Sequence, residues 1–189
     1  MSILSYLNDL LQSLLLSLGL TNKTGTIVLL GLDNAGKTTF LHKLRTNSML
    51  TFPPTDQPHN ESFRMDGVVF NAWDLGGHEA VRHLWEDFAC DASAVLFLVD
   101  AADPRRLEEA RDELDALVNE DGLEEGVPLA ILLNKCDLEG AMPSNYIAEQ
   151  LWYHDVVERL GGDRVQMFRM SVLRGLGYQD ALQWIASFL

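Results

Sequence analysis

Thr26-Ile-Val-Leu-Leu-Gly31-Leu-Asp-Asn-Ala-Gly36-Lys37-Thr38-Thr-Phe-Leu-His-Lys-Leu44 decides the fold. Its first five residues form an apolar, β-branched run of the kind that fills a buried strand. Two glycines then bracket four residues and are followed by Lys37 and Thr38, which is the Walker A pattern. From Thr38 the apolar spacing is helical. Glycines let backbone N–H groups turn inward, and those amides join the positive end of the helix in cradling a polyphosphate. Lys37 is expected to reach the terminal phosphates and the Thr38 hydroxyl to bind Mg²⁺. The plain alternative is a strand-to-helix turn that binds nothing. It leaves unexplained why strand, glycines, lysine and threonine all occur together.

A second run names the base. Val127 to Leu133 reads as a buried strand and ends in Asn134-Lys135-Cys136-Asp137. Asn-Lys-x-Asp at a strand end resembles the guanine-reading motif of small GTPases. Guanine offers an N1–H and an N2 amino group side by side, and the Asp137 carboxylate can accept from both. Adenine lacks the amino group and would leave a buried acceptor unpaired, which is costly. Asn134 is expected to hold the loop and the base, and the stem of Lys135 to lie over the ring. Ser171-Val172-Leu173 follows a further strand-like run. It is either the third base-binding loop, with a backbone amide near Val172 meeting the guanine carbonyl, or an ordinary strand-to-helix turn. The expected nucleotide-binding set is therefore Asp33, Asn34, Ala35, Gly36, Lys37, Thr38 and Thr39, with Asn134, Lys135, Asp137, Ser171, Val172 and Leu173.

Val68 to Trp73 alternates as a half-buried strand does and runs into Asp74-Leu75-Gly76-Gly77-His78. Asp-x-x-Gly here resembles a γ-phosphate sensor, with Asp74 at Mg²⁺ and the Gly77 amide at the phosphate. Thr55 lies seventeen residues after Thr38 and nineteen before Asp74, which resembles the place where small GTPases carry a switch threonine that closes on Mg²⁺ in the GTP state. Alternatively it is a loop threonine among Pro53, Pro54 and Pro58. The expected metal set is Thr38, Thr55 and Asp74, and the expected catalytic set is Lys37, Gly77 and His78. His78 stands where many GTPases carry the glutamine that orients the attacking water. The alternative for it is an exposed loop histidine with no role.

Residues 1–22 are expected to form an arm distinct from the domain at 23–189. Met1 to Leu20 holds no Lys or Arg and one charge, Asp9. Ile3, Leu4, Leu7, Leu10, Leu11, Leu14, Leu15 and Leu18 recur at helical spacing on one face, with polar residues mostly opposite. The basic start of a secretory signal is missing, and the polar face argues against a spanning helix. Ser2 excludes N-myristoylation. The arm reads as an amphipathic helix for a membrane interface, or as one that packs on its own domain.

The chain has 189 residues, enough for one domain and a short arm. With 28 acidic against 14 basic residues the formal charge is −14, which argues against nucleic acid. It also opposes anionic lipid, so membrane attachment is expected to be apolar. Much of the acid lies between Leu107 and Glu125, read as a solvated helix face. Cys90 and Cys136 give no disulfide framework, which suits the cytosol. Asn22 to Gly25 reads as a hinge between arm and first strand. Strand-like runs at 26–31, 61–65, 68–73, 94–100, 127–133 and 164–169 alternate with helix-like runs at 37–46, 80–89, 106–119, 145–160 and 177–188. That order predicts a six-stranded, mostly parallel α/β sheet with helices on both faces. A hairpin at Asp66-Gly67 makes the second strand an antiparallel edge.

The arm, Gly31 to Thr38, Asp74 to His78, Phe97-Leu-Val-Asp100, Asn134 to Asp137 and Ser171 to Leu173 together resemble the Sar branch of the Arf/Sar small GTPases. Histidine at position 78 is that branch's habit. The resemblance implies a Ras-like P-loop GTPase fold, GTP/GDP and Mg²⁺ as cofactors, and slow hydrolysis dependent on an activating protein. It implies a guanine nucleotide exchange factor, a GTPase-activating coat subunit, and membrane lipid gripped by the N-terminal helix. It places the protein in the cytoplasm and, reversibly, on the cytosolic face of the endoplasmic reticulum, where the branch starts COPII coat assembly. An Arf-like trafficking GTPase and a GTP-binding scaffold with little hydrolysis are the nearest alternatives. An ATP-using phosphotransferase is disfavoured by Asn134 to Asp137. Pro58-His59 and Glu79 depart from the branch's usual residues on surfaces that partners use.

Overall fold

The computed structural model describes residues 23–50, 52–53, 55, 57–65, 67–119, 123 and 126–189. The expected arm at 1–22 lies outside the described residues. In chain order the elements are β1 (Lys23–Leu30), α1 (Lys37–Thr46), β2 (His59–Met65), β3 (Val68–Asp74), α2 (Glu79–Arg82), α3 (Trp85–Cys90) and β4 (Ala94–Asp100). A 3-10 turn (Pro104–Arg106) then leads to α4 (Leu107–Leu117), β5 (Leu129–Asn134), α5 (Ser144–Gln150), α6 (Tyr153–Leu160), β6 (Val165–Arg169) and α7 (Tyr178–Ala186). The six strands form one sheet in the order β2-β3-β1-β4-β5-β6. Among the described residues, only the β2–β3 strand pair is antiparallel, as the hairpin predicts.

Alternation along the strands builds two cores. Val28 and Leu30, Val95, Phe97 and Val99, and Ile131 and Leu133 pack on one face against Trp85, Leu107, Leu114, Ile147 and Val156. Ile27 and Leu29, Leu96 and Leu98, and Leu132 pack on the other against Phe40, Leu41, Leu182 and Ile185. The central strands therefore read as unbroken apolar runs, because helices cover both faces. Each such side chain contributes about 1.5–3 kcal/mol of burial. Parallel strands also bring their carboxyl ends to one edge, where open α/β sheets take ligands. Gly31, Asp74, Asp100, Asn134 and Met170 all lie along that edge.

Four expectations need correction. Lys23 to Gly25 is not a hinge. It is the start of β1, and Lys23, Thr24 and Gly25 register with Val68, Val69 and Phe70. The run 80–89 is not one helix, because α2 ends at Arg82 and α3 begins at Trp85, with a short-range bond from the Leu84 N–H to the Val81 carbonyl between them. The break lets Trp85 bury its ring and donate Nε1–H to the Gly76 carbonyl at 2.9 Å. The run 145–160 is likewise two helices, parted at Trp152, whose φ is 51°. Ile147, Leu151 and Val156 are all buried, and the step from 151 to 156 is one residue longer than a single helix face supplies. The left-handed Trp152 absorbs that extra residue, with the Arg111 guanidinium 4.4 Å from its ring centroid. Finally, the acidic face of α4 is not simply solvated, since Glu109 and Glu113 both pair with Arg82.

Candidate functional site

A cleft of about 300 Å³ opens along the carboxyl edge of the sheet. Among the expected residues, Asp33, Asn34, Gly36, Lys37, Thr38 and Thr39 line it from one side. Asn134, Lys135, Asp137, Val172 and Leu173 line it from the other, with Thr55 and Gly77 between them. Ala35 and Ser171 are buried behind the wall rather than in it, and Asp74 sits behind Thr38. His78 is exposed and does not line the cleft. Met49, Phe52, Pro53 and Leu138 complete the wall, and motif reasoning did not find them. Phe52 and Pro53 stand just before Thr55 and Leu138 just after Asp137, so proximity to those residues was the one available signal.

At the phosphate-loop end, Gly36 caps α1 at φ 101°, and a Cβ there would lie 2.5 Å from the Asn134 Nδ2. Gly77 is equally confined: its Cβ would fall 2.1 Å from the Asp33 backbone nitrogen. Glycine is thus what allows both loops to close on the cleft and on each other. The Lys37 Nζ donates to the Gly31 carbonyl at 2.7 Å and to the Leu32 carbonyl at 3.0 Å. Burial pulls its pKa down to about 8, against the partial support of the Asp74 and Asp33 charges. An ammonium held against two neutral carbonyls calls for an anion. The neighbouring Asp33 carboxylate is turned away toward Arg106, at 2.8 Å. Burial raises the Asp33 pKa, but the Arg106 hydrogen bond and charge outweigh this and hold it low.

Three hydroxyl and carboxyl groups meet beside Lys37. The Thr38 Oγ1 donates to the Asp74 Oδ2 at 2.6 Å and lies 2.8 Å from the Thr55 Oγ1. Thr55 itself is 3.4 Å from Asp74 Oδ2. Asp74 is fully buried, and its Oδ1 has no hydrogen-bond partner. Burial pushes its pKa up, opposed by the Thr38 hydrogen bond and the Lys37 charge. A buried carboxylate oxygen left without a partner, beside two hydroxyls, is a hard oxygen set of the kind that Mg²⁺ and its water shell satisfy. The residues present therefore fit that ion.

At the other end, Asn134 is 3% exposed and ties two loops together. Its Nδ2 donates to the Ala35 carbonyl at 2.8 Å, and its Oδ1 accepts from the Val172 N–H at 3.1 Å. The Val172 amide is thereby occupied. Lys135 has φ 64°, and its Nζ donates to Asp100 Oδ2 at 2.7 Å, which leaves the methylene stem to face the cleft. The Ser171 hydroxyl donates to Asp137 Oδ1 and accepts from the Arg174 N–H at 3.0 Å, so the carboxylate is held in one orientation. The Ser171-to-Leu176 segment is a tight turn closed by mutual backbone bonds of 3.0 Å. The cleft thus carries an ammonium and hydroxyls at one end and an oriented carboxylate at the other. Such a site suits a ligand with an anionic tail and a donor-edged head.

Relatives agree with that chemistry. Residues 11–189 match the model of the Arf family, the ADP-ribosylation factor family. The small COPII coat GTPase SAR1 of Giardia intestinalis is 36% identical over 188 residues, covering 96% of this chain and 98% of that protein. ADP-ribosylation factor-like protein 3 of Chlamydomonas reinhardtii is 36% identical, with 88% and 93% covered. ADP-ribosylation factor 3 of Arabidopsis thaliana is 33% identical, with 89% and 90% covered. Among solved structures, the Arl6 BBS3 small GTPase of Trypanosoma brucei with bound nucleotide analogue GppNp superposes with a TM-score of 0.76. It is 29% identical, and 87% of this chain and 96% of that one are covered. A cleft built for an anionic tail and a donor-edged head, on a sheet of this order, is what the family match explains: the chain belongs to the ADP-ribosylation factor family of small GTPases, which bind GTP or GDP with Mg²⁺ and hydrolyse GTP.

Proposed function

We propose that this GTPase is a Sar-type membrane switch, which in its GTP state starts COPII-type coat assembly on the cytosolic face of the endoplasmic reticulum. The observation that carries the switch is the meeting of Thr55, Thr38 and Asp74. A loop threonine seventeen residues downstream of the phosphate loop reaches its hydroxyl to within 2.8 Å of Thr38. An arrangement of that kind suits a loop that orders around γ-phosphate and Mg²⁺ and is released when the phosphate leaves. The Sar assignment rests on His78 and on the SAR1 likeness over 96% of the chain. The Arf and Arf-like relatives are of similar identity, so an Arf-like trafficking role is the second reading.

In this reading the Lys37 ammonium and the phosphate-loop amides of Asp33 to Thr39 take the phosphates. Thr38, Thr55 and Asp74 hold Mg²⁺, which supplies charge neutralisation to the phosphate oxygens. The Gly77 amide meets the γ-phosphate, and His78 swings in to orient the water for in-line attack. Asp137 and Asn134 read guanine, with the Leu173 amide left to meet its carbonyl. Positioning and charge carry most of phosphoryl transfer, so turnover without a partner arginine is slow. Residues 1–22 supply the membrane grip.

Flotation of the full chain with liposomes tests this, using GDP or GppNHp. Recruitment with GppNHp alone, lost on removal of residues 1–20 while nucleotide binding persists, is the expected result. Binding that ignores the nucleotide, or that survives the truncation, overturns the switch. Purified COPII inner-coat subunits on the same liposomes separate Sar-type from Arf-like recruitment.

A further inference from the structure

Two arginines outside the cleft each hold a backbone carbonyl of a loop that lines it. Arg82, on α2, donates Nε–H to the Gly77 carbonyl at 2.8 Å, which fixes the peptide joining Gly77 to His78. Arg106, from the 3-10 turn, donates to the Asp33 carbonyl at 3.0 Å, which fixes the peptide joining Asp33 to Asn34. Both guanidinium groups then converge on Glu109 of α4. Arg106 reaches its two carboxylate oxygens at 2.8 and 3.0 Å, and Arg82 binds the same Oε1. Glu113 takes the remaining arm of Arg82 at 2.7 Å.

We propose that Glu109 is a positioning residue that couples the phosphate loop to the γ-phosphate-sensing loop, by giving the two arginines that hold those loops a shared counter-charge. The proposal rests on the guanine-nucleotide reading above and concerns the choice between GTP and GDP. A continuous chain of charge-assisted hydrogen bonds runs from the Gly77 carbonyl through Arg82, Glu109 and Arg106 to the Asp33 carbonyl. Such bonds are about twice as strong as neutral ones, and the guanidinium fork sets direction as well as distance. The Arg82 side chain is only 8% exposed, so its fork is shielded from water. The Glu109 carboxylate is held down at about pKa 2 by the Arg106 hydrogen bond first and the Arg82 bond next, so it stays charged at any physiological pH. Without its charge Arg106 is left with the Asp33 carboxylate at 2.8 Å as its ion-pair partner and Arg82 with Glu113 at 2.7 Å, so the two guanidinium groups no longer share a counter-charge that links their loops.

GDP needs the phosphate loop but makes no use of the Gly77 loop, whereas a triphosphate needs both. A coupling residue therefore acts on the ratio of the two affinities. A residue that merely packs α4 against its neighbours acts on both equally, or only on stability.

Calorimetric titration of the full-length chain with GDP and with GppNHp, both with Mg²⁺, tests this. Glu109→Gln is expected to weaken GppNHp by about tenfold and GDP by less than twofold, since one charged hydrogen-bond partner is lost. Arg82→Lys keeps the charge but loses the fork, and should lower the same ratio. It serves alone where Glu109→Gln does not fold. Together the two substitutions should cost less than the sum of each, because both break one chain. Equal losses for GDP and GppNHp, or a lower melting temperature with an unchanged ratio, overturn the proposal. If the unaltered chain binds neither nucleotide, the guanine reading itself fails, a result distinct from an unchanged ratio.

Discussion

The Asn134 side-chain amide donates to the Ala35 carbonyl across 2.8 Å, joining residues ninety-nine positions apart. The same side chain accepts from Val172. Three loops that contribute to the cleft are thus pinned by one buried amide, and it acts before any ligand arrives. Asn134→Ala leaves the Ala35 carbonyl and the Val172 N–H without partners, at about 1–3 kcal/mol for each orphaned group. Urea denaturation should show this loss without nucleotide, and GDP and GppNHp affinities should fall together. Unchanged stability would mean that the loops are held by other contacts.

Asp137 is aimed by Ser171, whose hydroxyl is fully buried. Replacing the carboxylate with an amide puts a donor where guanine presents two donors. Asp137→Asn should weaken GDP on the order of 10²–10⁴-fold, as two charge-assisted bonds are lost. Xanthosine diphosphate, with a carbonyl in place of the amino group, should bind the variant better than GDP. Competition of the two nucleotides measures the preference. A variant that still prefers GDP removes Asp137 from base recognition. Ser171→Ala should give a smaller loss in the same direction, because it frees the carboxylate to rotate without removing it.

Thr38 is the hydroxyl at the centre of the proposed metal set, bonded to Asp74 and next to Thr55. Thr38→Asn retains polarity but displaces the ion with a longer side chain. In the proposed switch GTP engages Thr55 and Mg²⁺ together, so its affinity should fall by roughly tenfold more than that of GDP, for the loss of about one charged contact. Isothermal titration at fixed magnesium reads both. Equal weakening of the two nucleotides would contradict the role in Mg²⁺ binding.

Apolar runs and loop motifs are legible in the sequence; main-chain pairing, a left-handed turn and contacts that only folding brings together are not. The central strands were legible because Ala94 to Val99 and Leu129 to Asn134 are buried without interruption. The first residues of β1 were not, because Lys23, Thr24 and Gly25 pair through main-chain bonds that polar side chains do not advertise. The helix break at Trp152 depends on a left-handed residue that is not glycine, so it carries no signature. In the cleft the phosphate and base motifs came together as expected. Met49 and Phe52 did not announce themselves, since apolar loop residues follow no spacing rule. Glu109 read as one more charge on a solvated face. Its partners, Arg82 and Arg106, lie twenty-seven and three positions away, and only folding brings both to it.

Lys37 offers a test in pH. Burial lowers its pKa to about 8 in the nucleotide-free protein, below the ordinary lysine value of 10.5 that the unfolded chain retains. The folded state thus binds the proton less tightly than the unfolded one. Below about pH 8 both states are protonated and the cost of the buried ammonium is fully present. As pH rises from about 8 toward 10.5 the folded state alone sheds the proton, and the cost disappears. On this account the nucleotide-free protein gains stability across that window. A bound phosphate reverses the balance by pulling the Lys37 pKa back up, so nucleotide binding takes up a proton above pH 8 and weakens as pH rises. The chain has four lysines, so the Lys37 side-chain carbon resonance can be assigned by comparison with Lys37→Arg. Its NMR titration midpoint should lie near 8 without nucleotide and move upward by more than a unit with GDP. A midpoint near 10.5 in both states would mean that the ammonium is solvated, and that its two carbonyl contacts are not what primes the loop for phosphate.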